Sequence, residues 1–281
     1  MSFFNWAVER ERNNCKTILV SQKKYVPKIE VQMAIQPYGV GAIKSYYPHG
    51  IEKKGHLFNL HGGGLIAGSI EQNENFCLML VEQGYTVHSI EYPLIPEVTF
   101  ERQVASVCDM ISHVSSLIKD EPKYLIADSA GCLLGLVVNA LLSEEGYWMR
   151  DYFGYKSENN VCHFDGIWFN CPLFETIGFN KVGIFMAKGL YGKNPAYKKF
   201  LKKPYKYFVE YLPKKVVIVT SPQDDLKKQA MKLFWEKTDS SIYFGERKNK
   251  KHNHDWNVIY PDLDEWTINM NIEVLKKLTN D

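Results

Sequence analysis

Lys123–Leu142 reads KYLIADSAGCLLGLVVNALL. Tyr124-Leu125-Ile126-Ala127 is a short continuous apolar run, the pattern of a strand buried on both faces. Cys132 to Leu142 is almost wholly apolar with no Pro, Asp or Ser to break it, and predicts a buried helix. Only Asp128-Ser129-Ala130-Gly131 separates the two, too little for an ordinary loop. A strand that turns this sharply into a helix strains the backbone at the junction. It also lifts the junction side chain clear of the sheet's C-terminal edge, beside helix N-terminal N–H groups. Ala127, Ala130 and Gly131 are the small neighbours such a turn needs. The pattern is G-x-S-x-G with its first glycine replaced by alanine. By itself Ser129 reads equally well as a nucleophile or as a helix cap.

Upstream, His56–Leu60 predicts a strand that runs directly into His61-Gly62-Gly63-Gly64. Consecutive glycines let backbone N–H groups converge on one small anion. No G-K-[ST] follows, which disfavours a phosphate loop. With a nucleophile elbow nearby, the anion to expect is the oxygen of a tetrahedral acyl intermediate. His61 is expected to orient this loop, not to act as a base.

Downstream, a nucleophilic serine needs a base, and the base needs an orienting acid. Val216–Thr220 is an apolar strand followed by Ser221-Pro222-Gln223-Asp224-Asp225, which offers two acids. The last short strand, Ser241–Gly245, is followed by Lys251-His252-Asn253-His254-Asp255-Trp256, which offers two histidines. Serine, acid and histidine thus each follow a strand, in that order along the chain.

The remaining pattern is α/β, a mostly parallel central sheet with helices on both faces. Lys16–Gln22 reads as a first strand. Ile29–Ile35 and Gly41–Tyr47 form a hairpin about Pro37-Tyr38-Gly39. Helices are expected over Ile70–Gln83, Phe100–Leu117, Leu226–Lys237 and Leu263–Leu278, with strands at Tyr85–Tyr92 and Asp165–Cys171. Ser143–His163 is a polar and aromatic connection. Pro172–Pro213 is too long for a structureless loop. Residues 1–171 and 214–281 are therefore expected to form the core, and 172–213 an inserted cap. The cap's Phe174, Phe179, Phe185, Met186, Tyr191, Tyr197 and Phe200 would fill space near Ser129 or form its own small core. Its lysines (Lys198, Lys199, Lys202, Lys203, Lys206) read as a solvated face.

Composition bounds the rest. The 281 residues are 45% hydrophobic and 23% charged, with a formal net charge of +2, so no global field selects nucleic acid or an acidic partner. The six cysteines have no C-x-x-C or metal spacing and read as free thiols of a reducing compartment. MSFFNWAVERERNN is not a signal peptide, and no run reaches the length of a membrane span. A cytoplasmic protein with neither nucleic-acid nor membrane partner is expected.

Taken together, these motifs resemble the hormone-sensitive-lipase-like group of α/β-hydrolase esterases. His61–Gly64 is similar to its HGGG, Ala127–Gly131 to its GDSAG, Glu91–Glu97 (EYPLIPE) to its DYRLAPE, and His254–Val258 to its H-x-F-x-V. The resemblance covers roughly Gly55 to Leu278. It implies an α/β-hydrolase fold with an inserted cap and a triad of Ser129, Asp224 and His254. Asp225 would stand at the family's proline. The oxyanion donors would be the N–H groups of Gly63, Gly64 and Ala130. No cofactor or metal is implied. The activity implied is that of a serine carboxylesterase acting on small, short-chain acyl esters. The short N-terminus departs from members with a large N-terminal cap. One alternative is an amidase or peptidase on the same triad, with Glu144-Glu145 receiving a peptide amine. The other is a catalytically silent binding protein of this fold.

Overall fold

The computed structural model describes residues 2–118, 120–156, 161–176, 187–237, 239–247, 250–259 and 264–280. Hairpin strands β1 (Glu30–Tyr38) and β2 (Gly41–His49) turn at Gly39, whose φ of +58° suits glycine. β3 (Gly55–Leu60) and β4 (Tyr85–Glu91) are parallel to each other, and β2 joins β4 antiparallel. β5 (Lys123–Asp128), β6 (Gly166–Asn170), β7 (Lys215–Thr220) and β8 (Ser241–Phe244) continue the parallel set. The spatial order is β1-β2-β4-β3-β5-β6-β7-β8. The mostly parallel sheet expected from the strand–helix alternation is therefore present.

Period-two alternation divides the core between the two sheet faces. Phe58 and Leu60, Leu125 and Ala127, Ile167 and Phe169, and Val216 and Ile218 point to one side. There they meet α3 (Phe100–Ile118), α4 (Gly131–Leu142) and α5 (Lys227–Glu236). Leu57, Tyr124, Ile126, Trp168, Val217 and Val219 point to the other, against α2 (Glu74–Glu82) and α6 (Glu265–Thr279). Every residue of α4 is buried, which explains why its sequence shows no polar face. The start of α6 is fixed by Asp264, whose side chain accepts the Thr267 N–H at 2.9 Å.

The N-terminus corrects the sequence reading. Lys16–Gln22 is not a strand but the end of helix α1 (Phe3–Ser21), capped by Ser2, which accepts the Asn5 N–H. Phe4, Val8 and Cys15 recur at helical spacing and pack on the core, whereas the alternation of Lys16–Gln22 arises on a largely exposed surface.

In the proposed cap region, Phe174, Tyr191 and Phe200 are buried in the main core. Phe200 lies 6.0 Å from the Phe153 ring, on the 3-10 turn Tyr147–Phe153. Tyr197 stacks on Tyr191 at 4.9 Å. Phe179, Phe185 and Met186 lie outside the described residues. The five lysines are all exposed, as a solvated face requires.

One close approach fixes where α4 begins. Gly131 rests on the backbone carbonyls of Leu60 and His61, with no room for a Cβ. Gly131→Ala is expected to destabilise the protein by about 2 kcal/mol, because backbone cannot yield as a side chain does. Gly135→Ala in the same helix meets the movable Leu125 side chain at 3.2 Å and should be near neutral. Thermal or urea unfolding of the two variants tests the contrast.

Candidate active site

Strain concentrates along the sheet's C-terminal edge. Ser129 has φ of +48°, and Leu65, Cys171 and Asp255 are also left-handed, at +70°, +43° and +52°. For non-glycine residues this conformation is costly and persists where the surroundings enforce it. At Ser129 it is the sharp strand-to-helix junction expected from Ala127–Gly131. The Ser129 N–H donates to Asn170 O at 2.9 Å, which anchors the elbow to the end of β6.

Ser129 Oγ lies 2.8 Å from His254 Nε2, and His254 Nδ1 lies 2.9 Å from Asp224 Oδ1. These three residues come from the ends of β5 and β7 and from the loop after β8. Asp224 is buried, accepts the Leu226 N–H at 3.0 Å, and takes the Thr220 hydroxyl at 3.0 Å on its other oxygen. Burial works against its charge, but the His254 and Leu226 hydrogen bonds hold its carboxyl below the usual range. The adjacent Asp225 is exposed and faces the cavity mouth.

His252 has a different environment. Its ring stacks on Trp266 at 5.3 Å and packs on Trp256 at 4.2 Å, while its backbone carbonyl accepts the Ser221 hydroxyl. Burial lowers its pKa. It braces the loop that carries His254.

The glycine loop is tied to the elbow through Asp128. The Gly62 N–H donates to Asp128 Oδ2 at 2.8 Å, and the Asn73 amide donates to Oδ1 at 2.6 Å. Burial pushes the Asp128 carboxyl up to about 6 despite these bonds. His61 is buried and stacked 4.1 Å from Tyr92, whose hydroxyl donates to His61 O at 2.5 Å. Burial lowers the His61 pKa to about 4, so it braces the loop as a neutral ring, in the orienting part expected of it. Gly63 (φ +105°) and Gly64 (φ +66°) both turn through positive φ, and at Gly63 a Cβ would strike the Ala67 carbonyl. With Ser129 they line a cavity of about 900 Å³.

The cavity has a wall that the sequence reading missed. Phe3, Trp6, Arg10, Glu11, Asn14 and Ile18 of α1 line it, as do Leu173, Thr176 and Leu190. Arg12 clamps α1 down by donating to Ile66 O at 2.8 Å and pairing with Glu97 at 2.6 Å. The Ser2 cap and the Phe4/Val8/Cys15 spacing were the available signals. Phe174, Tyr191, Tyr197 and Phe200 do not line the cavity. Glu144 and Glu145 follow the far end of α4, about 18 Å along the helix from the elbow, and are exposed. Cys171, Asp224 and His254 bring one possible metal donor each within 4.8 Å, but both His254 nitrogens already face protein oxygens. All six cysteines are unpaired, five of them buried.

Superposition decides the architecture. Esterase B from Lactobacillus rhamnosis matches 97% of this chain and 91% of its own with a TM-score of 0.79 at 21% identity. The fold is the α/β-hydrolase fold. An esterase of Pyrobaculum calidifontis gives a TM-score of 0.69 at 17% identity, over 96% of this chain and 92% of its own. A family model described as alpha/beta hydrolase fold matches residues 57–176, from within β3 through the elbow to just beyond β6. Acetyl esterase of Salmonella paratyphi B is 30% identical over 121 residues, 41% of this chain. That stretch spans 35% of the acetyl esterase, about a third of its length. The Lactobacillus esterase has also been crystallised inhibited by a C4 tributyrin phosphonate. Among the described residues, no helix is long and apolar enough to cross a membrane.

Proposed function

We propose that this α/β-hydrolase is a serine carboxylesterase of the hormone-sensitive-lipase-like group, acting on short-chain acyl esters of small alcohols. The observation that carries the reading is the hydrogen-bonded series Ser129 Oγ, His254 Nε2, His254 Nδ1, Asp224 Oδ1, standing beside the glycine loop. Ser129 Oγ attacks the ester carbonyl carbon as its proton passes to His254 Nε2. Asp224 holds the imidazole by Nδ1 and stabilises its charged form. The N–H groups of Gly63, Gly64 and Ala130 receive the oxyanion. His254 returns the proton to the departing alcohol, and water cleaves the acyl-enzyme with His254 again as base. No metal or organic cofactor enters the reaction.

Residues 172–213 act as the cap over the sheet's C-terminal edge, supported by Leu173, Thr176 and Leu190 in the cavity wall. The acyl preference is supported by the acetyl esterases and by the C4 phosphonate held by the Lactobacillus enzyme. The test is kcat/KM across acetate, butyrate, octanoate and palmitate esters below their solubility limits. Acetate and butyrate should be best, with no rate increase once an emulsion forms. A tunnel that buried each added methylene would instead raise kcat/KM about fourfold per methylene, from about 0.8 kcal/mol each. A rise through octanoate would exclude the short-chain reading, and no hydrolysis of any ester would exclude the esterase itself.

A further inference from the structure

Asp255 follows the proposed base directly, and its backbone folds back in the left-handed region at φ +52°. That turn brings Asp255 Oδ2 to 3.2 Å from His254 Nε2, the nitrogen that faces Ser129. The residue is buried, and its Oδ1 has no hydrogen-bond partner among the described residues. His254 therefore stands between two carboxylates, Asp224 at Nδ1 and Asp255 beside Nε2. A histidine needs one acid to fix its tautomer; the second has no part in the mechanism above.

We infer that Asp255 is a second acid of the proposed site, held beside the serine-facing nitrogen of His254 to stabilise the imidazolium formed when Ser129 gives up its proton. The inference rests on the esterase reading. As the Oγ–carbon bond forms, the Ser129 proton moves to Nε2 and the carbonyl π pair moves to oxygen. As the carbon–oxygen bond to the alcohol breaks, that proton leaves Nε2 for the departing oxygen. Asp255 neither gives nor receives a proton in this cycle; its charge acts on the ring while the ring is positive.

The other ionisable groups around the ring and Asp255 are Asp224 after β7, Asp128 at the end of β5, Cys171 just after β6 and Cys132 in the first turn of α4. Arg10 and Glu11 of α1 and Asp225 face the same cavity. Both thiols are pushed well up by burial and stay neutral. Burial alone would lower the His254 pKa, but Asp255 and then Asp224 outweigh it and raise it to about 9. Burial raises the Asp255 carboxyl, and the facing His254 ring pulls it back down.

The consequence is a pH profile with a distinctive dependence on Asp255. Well below the midpoint, the resting site and the transition state both contain imidazolium, so stabilising it cancels between them. Above the midpoint the resting ring is neutral, and only the transition state gains. Removing the charge should therefore lower the midpoint and the alkaline plateau together.

The experiment is kcat/KM for a butyrate ester from pH 5 to 10 in wild type, Asp255→Asn and Asp255→Gly, with His254 titrated by NMR in each. Asparagine and glycine both tolerate the left-handed backbone. In wild type the rising limb should centre above the ordinary histidine value. In both variants it should move down by about one pH unit or more, as loss of a close opposite charge requires. The ratio of variant to wild-type kcat/KM should then fall with rising pH, reaching about one-tenth if the limb moves by about one pH unit. A purely structural role would give the same loss at every pH. That result, or an unmoved His254 titration, would overturn the inference. The NMR arm reads the pair without turnover. Failure of wild type to hydrolyse esters or to take a phosphonate on Ser129 would overturn the esterase reading instead.

Discussion

Ser129→Ala is expected to abolish ester hydrolysis, lowering kcat by about a millionfold while the protein stays folded. The size of the loss follows from what remains. The glycine loop would still receive an oxyanion, but no oxygen would stand 2.8 Å from His254 Nε2 to attack the ester. Alanine removes one oxygen and adds nothing to the crowded elbow. It keeps φ +48°, a strain the wild-type serine already carries, so unfolding should shift little. A fluorophosphonate probe should add one phosphonyl group to Ser129 in wild type and none in the variant. Labelling at another serine, with wild-type turnover in Ser129→Ala, would exclude the mechanism.

Asp224→Asn is expected to lower kcat by about 10⁴-fold, and Asp225→Asn to leave it within about twofold. Asparagine preserves the shape of Asp224 but offers an amide where His254 Nδ1–H needs an acceptor. The ring would then favour the tautomer with its proton on Nε2, facing Ser129, where it cannot accept one. The charge that balances the imidazolium would go as well. Asp225 is exposed, and among the described residues no hydrogen bond or ion pair joins it to the ring, so losing its charge changes only the cavity mouth. Kinetics of the two variants beside wild type make the comparison, and equal losses would show that the acid loop rearranges on binding.

How much of this site was legible depended on whether the constraint was local. The elbow could be read because a two-residue junction between strand and helix forces small neighbours around one strained serine, and Ala127, Ala130 and Gly131 meet that demand in sequence. The glycine loop could be read because consecutive glycines mark a backbone that turns through positive φ, as it does at Gly63 and Gly64. The alternating sheet faces follow from the two-residue repeat of a strand, and they appear in β5, β6 and β7 as adjacent residues on opposite cores.

Neighbouring residues of one type were different. Asp224 and Asp225 share a loop, as do His252 and His254, and either member of each pair satisfies the same local chemistry. The residues themselves left both pairs open, and only the family resemblance favoured one of each. In the structure, Thr220 and Leu226 turn Asp224 inward, and Trp256 and Trp266 engage His252 so that His254 is the ring left facing Ser129. The same holds for α1, whose anchors Ile66, Ile95 and Glu97 lie 54 to 85 residues from Arg12. It holds too for Asp255, whose meaning comes from a backbone twist. The chain alone determined the strand order of chemical groups and the backbone shape at Ser129, because those are demands on residues adjacent in sequence. Which acid, which histidine and which helix enclose the cavity was decided by the tertiary structure, because side-chain direction is set by packing partners that sequence distance conceals.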